Sequence, residues 1–171
     1  LLNGNGGELC NLSEIFSSNI ESIDDLYKTI KYAYLYSKTV TLLKTHSQMT
    51  NATIMKNRKI GVGMSGVTQG IDKFGYRKFM NMMDLGYNKL LEYDNIYSDW
   101  FGIPLSIKHS TVKPSGSVSL LSGCTPGVHY PHSEYYYRTI RIQKTSPILN
   151  VLKDAGYRIE DAIKEEAYTS V

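Results

Sequence analysis

Cysteine is scarce in this chain. Two residues, Cys10 and Cys124, among 171 are too few for a disulfide scaffold and lack the spacing and company of a zinc site, so two reduced thiols and no metal are expected. Long apolar runs are missing too. None approaches the roughly 20 residues that span a bilayer, and the N-terminus lacks the basic and apolar regions of a signal peptide. The expectation is a cytoplasmic protein with no membrane partner. Nor does one sign of charge dominate: 19 Lys and Arg against 16 Asp and Glu leave a formal +3. The only basic cluster, Lys56-Asn-Arg-Lys59, reads as a solvated patch, so no nucleic-acid partner is expected.

Neither an internal repeat nor a low-complexity linker interrupts the chain. With 42% hydrophobic and 20% charged residues, it has the composition of one folded domain over residues 1–171. It opens on Leu1 rather than Met and enters structure within a dozen residues, which is the behaviour of a piece of something longer.

Hydrophobic spacing gives an α/β order. Residues 9–12 read as a short strand after a Gly- and Asn-rich loop. Ser22 and Asp25 form a capping box ahead of Ile23, Leu26, Tyr27, Ile30, Ala33 and Tyr34, which predicts a helix running to about Lys44. Ile60, Val62 and Met64 alternate in a strand over 59–64 that enters a Gly-rich turn. Residues 76–100 predict one or two helices ending at Gly102-Ile-Pro104. A short β run over 110–112, a strand over 135–142, and a helix opened by Ser146-Pro147 and capped by Gly156 complete the order.

Thr111-Val-Lys-Pro-Ser-Gly-Ser-Val-Ser-Leu-Leu-Ser-Gly-Cys-Thr-Pro-Gly-Val-His129 carries the most chemistry. Ser115, Gly116 and Ser117 offer consecutive amides and two hydroxyls, Pro114 fixes the entry angle, and Val118 begins a helical turn whose dipole favours an anion. Alone, Pro-Ser-Gly-Ser is most often an ordinary turn. Gly61-Val-Gly63-Met-Ser-Gly66 matches the dinucleotide fingerprint, so an NAD-type oxidoreductase is one alternative. That fingerprint needs an acidic strand end about 20 residues on, whereas Asp84 falls in a predicted helix. Glycines that ease a tight turn or close packing are the better reading. By position alone Cys10 is a core-filling residue, and Cys124, in the Gly-rich loop, is open between a redox thiol and core filling. His129 and His132 read as loop histidines, Tyr135 to Tyr137 as strand residues divided between core and solvent, and Arg138 and Arg141 as exposed alternates.

Together, several segments resemble the catalytic subunit of ribonucleotide reductase, most of all its adenosylcobalamin-dependent, class II form. Glu8-Leu-Cys-Asn-Leu-Ser-Glu-Ile-Phe16 resembles the stretch just after that family's Asn-Pro-Cys-Gly-Glu sequence. Arg58-Lys-Ile-Gly-Val-Gly-Met-Ser-Gly-Val67 is similar to a later barrel strand and turn. The 111–129 loop with Tyr136-Tyr-Arg-Thr-Ile-Arg-Ile142 is similar to the substrate-phosphate loop and the strand after it.

The resemblance implies roughly the C-terminal half of a ten-stranded α/β barrel that reduces ribonucleotides, as triphosphates or diphosphates, by cysteine thiyl radical chemistry. It implies that Cys10 is one of two reducing cysteines, its partner outside the chain, and that Ser115, Gly116, Ser117 and Val118 face the substrate phosphates. Adenosylcobalamin is the implied cofactor, bound mostly outside this segment, and thioredoxin or a similar dithiol the implied reductant. The thiyl cysteine and its glutamate would precede Leu1, so these residues alone are expected to be inactive. A free-standing phosphate- or nucleotide-binding module, with Cys10 as mere core, is the non-enzymatic alternative.

Overall fold

The computed structural model describes residues 7–163 and 168–170. The chain divides into two compact units, Leu1–Pro131 and His132–Val171. In the first, β1 (Asn11–Phe16) and β2 (Ile60–Ser65) pair in parallel from Asn11 opposite Ile60 to Phe16 opposite Ser65. Ser110 then bridges Val62 in parallel, with Val62 N–H on His109 O at 3.0 Å and Thr111 N–H on Val62 O at 3.1 Å. Residues 108–111 thereby act as a third strand, and β2 lies in the middle of an open sheet.

Two long helices cover one side of this sheet. α1 (Ile23–Val40) starts where its capping chemistry predicts: Ser22 Oγ accepts Asp25 N–H at 3.1 Å. The reciprocal bond reaches one residue further back than in a standard box, since Asp25 Oδ2 accepts Glu21 N–H. α4 (Tyr76–Phe101) is a single 26-residue helix closed by Gly102 in the left-handed conformation. Leu26, Ile30 and Tyr34 of α1 meet Met82, Leu90 and Tyr97 of α4, and both rows close over Ile15, Ile60 and Val62 of the strands.

Two helices escape the hydrophobic pattern. α2 (Gln48–Asn57) buries only Ile54 and is defined by its ends, Ser47 Oγ on Thr50 N–H and a left-handed Arg58. The Arg58 guanidinium is itself buried and donates to Thr41 O at 2.5 Å. α3 (Val67–Phe74) follows β2 directly and carries Gly70 in its middle, so its sequence reads as turn.

α5 (Val118–Leu121) is one turn. The second unit holds β3 (Arg141–Gln143), α6 (Ile148–Asp154), β4 (Glu160–Asp161) and β5 (Tyr168–Ser170), with β5 antiparallel to both other strands. The expected strand over 135–142 is thus mostly absent. Only its last two residues enter β3, and residues 134–140 are exposed and lie outside any strand. Alternation without a neighbouring edge does not make a strand.

Asp94 ties the helical side together. Its Oδ1 accepts Tyr34 Oη at 2.9 Å and Lys38 Nζ at 2.6 Å, and its Oδ2 accepts the Ser106 amide at 2.9 Å and meets His109 Nε2 at 3.2 Å. Lys38, fully buried, places its remaining donors on Pro104 O and Ser106 Oγ. Burial works to raise the Asp94 pKa, but His109, Lys38, the Ser106 amide and Tyr34 outweigh it and hold the carboxyl well below the usual range. Burial lowers the Lys38 pKa against the opposing pull of Asp94.

Asp94→Ala should cost about 3–5 kcal/mol in urea unfolding, because it strands a buried ammonium. A folded pKa below the unfolded one means that the stabilisation is whole above about pH 4 and is lost as pH falls through and below that value. The wild-type urea midpoint should therefore decline on acidification, and Asp94→Asn should flatten the decline. Equal acid sensitivity in the two proteins would contradict this.

Candidate functional site

The two faces of the sheet differ in chemistry because side chains alternate along each strand. Ile15, Ile60 and Val62 point into the helical core. Leu12 and Glu14 alternate to the opposite face, and Cys10, just before β1, continues their register. Across β2, Gly61 and Gly63 occupy that same face. A Cβ on Gly61 would lie 2.7 Å from Leu12 and 2.9 Å from Thr111, and one on Gly63 would lie 2.7 Å from both Glu14 Oε2 and Lys113 Cε. Cys10, Glu14, Ser65 and Lys113 therefore share the side of the three parallel strands away from α1 and α4, with glycines between them.

The 111–129 loop leaves from Lys113 and returns onto the start of α3. Thr125 O accepts Gly66 N–H at 2.8 Å, Gln69 Oε1 accepts Thr125 N–H at 2.8 Å, and the Thr68 and Thr125 hydroxyls lie 3.1 Å apart. Gly66, at φ 74°, makes the left-handed corner between β2 and α3 that this seating requires. At the loop's tip Ser115 is itself left-handed, φ 47°, a conformation that costs a non-glycine residue on the order of 1–2 kcal/mol. Ser115 O nevertheless receives Ser119 N–H at 3.1 Å, and the Ser115 and Ser119 hydroxyl oxygens are buried without a hydrogen-bond partner among the described residues. A strained serine beside buried hydroxyls that have no hydrogen-bond partner among the described residues is a turn suited to an anion.

The glycine fingerprint takes a different form from a dinucleotide site. Gly61 and Gly63 lie inside β2 rather than in the turn after it, and Asp84 lies within α4. The NAD-type reading fails on both points, since the acidic residue about 20 positions on belongs to a helix and not to a strand end.

The thiols are far apart. Cys10 is exposed and Cys124 buried. Cys124 Sγ lies 2.6 Å from Ser18 Oγ, beyond the far end of β1. At about 3.3 Å per residue that end is on the order of 20 Å from Cys10, well outside disulfide reach. Partial burial, with Glu8 adding and Lys59 opposing, pushes the Cys10 thiol up. Cys124, left open by the sequence, packs against the Gly66 corner.

An apolar cavity of about 390 Å³ lined by Ile15, Leu26, Val62, Met83 and Leu90 lies between sheet and helices, behind the face that bears Cys10. Sequence reasoning passed over Glu14, Ser65 and Lys113. The period-two run Cys10, Leu12, Glu14 was the available signal for the first of them.

No family model matches the chain. Over 157 residues it is 50% identical to a probable adenosylcobalamin-dependent ribonucleoside-triphosphate reductase of Dictyostelium discoideum, covering 92% of this chain and 21% of that protein. Over 153 residues it is 44% identical to the adenosylcobalamin-dependent ribonucleoside-triphosphate reductase of Euglena gracilis, covering 90% and 21%. The chain is homologous to one segment of the class II ribonucleotide reductases. A crystal structure of a B12-dependent, class II ribonucleotide reductase superposes with a TM-score of 0.77 at 31% identity, over 96% of this chain and 26% of that one. The α subunit of the class Id reductase from Actinobacillus ureae, at TM-score 0.61 and 18% identity over 90% of this chain and 33% of that one, shares the fold. The chain spans about a fifth of the length of the two reductases from Dictyostelium and Euglena. Among the described residues no helix is long and apolar enough to cross a membrane.

Iodoacetamide should alkylate Cys10 in the folded protein, faster as pH rises and at higher pH than an ordinary thiol because burial pushes its pKa up, and Cys124 only after denaturation. Peptide mass mapping reads both sites. Equal labelling of the two thiols under native conditions would contradict the placement of Cys124.

Proposed function

We propose that the chain is part of the catalytic α/β barrel of a cytoplasmic adenosylcobalamin-dependent ribonucleoside-triphosphate reductase, and that the sheet face away from α1 and α4 carries the reductant thiol and the phosphate end of the substrate site. The shared face is the observation that supports this. Cys10 and Glu14, which meets the loop's stem at Lys113, lie on one side of β1, about 13 Å apart at the strand rise, so a nucleotide laid along the strand spans from the thiol to the loop. Amides at Gly116, Ser117 and Val118 and the strained turn at Ser115 take the triphosphate. The glycine floor of β2 leaves room above it for the ribose.

In this reading a thiyl radical on a cysteine outside these residues removes and later returns the ribose 3′-hydrogen. The 2′-hydroxyl leaves as water, a C–H bond replaces the C–O bond, and two thiols supply the electrons and protons as they join in a disulfide. Cys10 is one of those thiols. Its partner is not Cys124, which lies beyond disulfide reach, and thioredoxin or a similar dithiol reopens the pair. A thiol at the start of a paired strand is held in place for such an attack.

Adenosylcobalamin, the cofactor in the relatives' names, supplies the radical in the whole enzyme. The described residues do not form a corrin-sized enclosure. Their apolar cavity of about 390 Å³ lies behind the sheet and has the size that takes a small ligand. No step is therefore assigned to the cofactor on this segment.

On the full natural polypeptide, Cys10→Ser should abolish dithiol-dependent formation of deoxynucleotide while changing the Kd of the ribonucleoside triphosphate by less than about twofold, since the thiol acts on the 2′ carbon and not on the phosphates. Turnover of Cys10→Ser at the wild-type rate would remove Cys10 from the mechanism.

A further inference from the structure

Both stems of the 111–129 loop converge on one carboxylate. Glu14 has a side chain only 5% exposed, and Lys113 Nζ lies 2.7 Å from its Oε2. Its Oε1 accepts the Ser65 hydroxyl at 2.5 Å, and Ser65 Oγ in turn accepts the Gly127 amide at 3.1 Å. The direction of this relay is fixed. The Gly127 amide can only donate, so the single proton of Ser65 goes to the carboxylate. The Lys113 contact lies outside directed hydrogen-bond geometry, so it holds by charge.

The backbone is cut to fit this arrangement. The ion pair crosses β2 over Gly63, where any side chain would strike both partners. At the other stem, a Cβ on Gly127 would lie 2.5 Å from Lys113 O, so entry and exit of the loop touch. Lys113 leads into Pro114 and Ser115, and Gly127 closes the return. A buried carboxylate beside an anion site would repel the anion unless neutralised, and Lys113 supplies that charge.

We propose that Glu14 is the positioning residue of the phosphate loop: through Lys113 on one oxygen and the Ser65–Gly127 relay on the other, it fixes both stems so that the amides at 116–118 hold one arrangement for a triphosphate. This rests on the reading of that loop as the phosphate site. Glu14 touches no substrate atom, and the prearranged loop lowers the ordering cost of binding.

The test compares CTP with cytidine by equilibrium dialysis on the full natural polypeptide. Ser65→Ala removes the relay hydroxyl without changing charge, and Glu14→Gln removes the charge while keeping the shape. Each should raise the Kd for CTP about tenfold, the scale of a lost hydrogen bond to a charged group, and leave the Kd for cytidine unchanged. The double variant should be no worse than the weaker single one, because both act through one network. The proposal is overturned if CTP affinity stays within about twofold of wild type, if CTP and cytidine weaken alike, or if Glu14→Gln tightens CTP. Gly116→Asp separates the two readings: loss of CTP binding there, with Ser65→Ala and Glu14→Gln normal, keeps the loop as the phosphate site and removes Glu14. Normal CTP binding by Gly116→Asp removes both. Ser65→Ala keeps the test available should Glu14→Gln fail to fold.

Discussion

Taking a carboxylate and an ammonium out of water costs several kcal/mol per ion unless their remaining hydrogen-bonding capacity is met. At Asp94 and Lys38 it is met completely. Four donors reach the two oxygens of Asp94, and the three protons of Lys38 go to Asp94, Pro104 and Ser106. These partners come from α1, from α4 and from the segment that follows α4. The network therefore does more than join two helices. It fixes where residues 104–109 run, and with them the third strand, whose His109 both meets Asp94 and accepts Val62 N–H. The 111–129 loop begins two residues later, so its position descends from a buried ion pair on the other side of the sheet.

That division of labour gives the sheet two unlike faces. The side packed on α1 and α4 is apolar and holds the strands in register. The other side bears a thiol, a carboxylate, a lysine and a serine, separated by two glycines that no side chain could replace without displacing a neighbour. Both ends of the loop are tied to this second face, through Lys113 and Gly127. A turn strained at Ser115 is maintained because the surrounding contacts hold its stems.

Much of this was legible in the sequence. β2 and the two long helices announced themselves by period, and the Ser22 cap located the start of α1 to the residue. Elements whose signals were weak were lost: α2 buries one apolar residue, and α3 has a glycine in its middle. The alternating stretch 135–142 was overread, because alternation reports a two-faced chain and not the presence of an edge to pair with. The glycines of 61–66 belonged to a known fingerprint but serve clearance, which depends on what lies across the strand. Glu14, Ser65 and Lys113 were invisible for the same reason. They are separated by about 50 residues each and meet only because β1, β2 and the third strand are parallel and in register. Cys10 and the loop were found through the resemblance, since a lone cysteine and a Ser-Gly-Ser turn are common in any sequence.

The central claim is that one sheet face holds both ends of a ribonucleotide. A structure of the full natural polypeptide with a bound ribonucleoside triphosphate tests it most directly. The account predicts phosphate oxygens on the amides of Gly116, Ser117 and Val118, with the ribose 2′ carbon facing Cys10. Phosphates seated elsewhere, or a ribose on the helical side of the sheet, would contradict it.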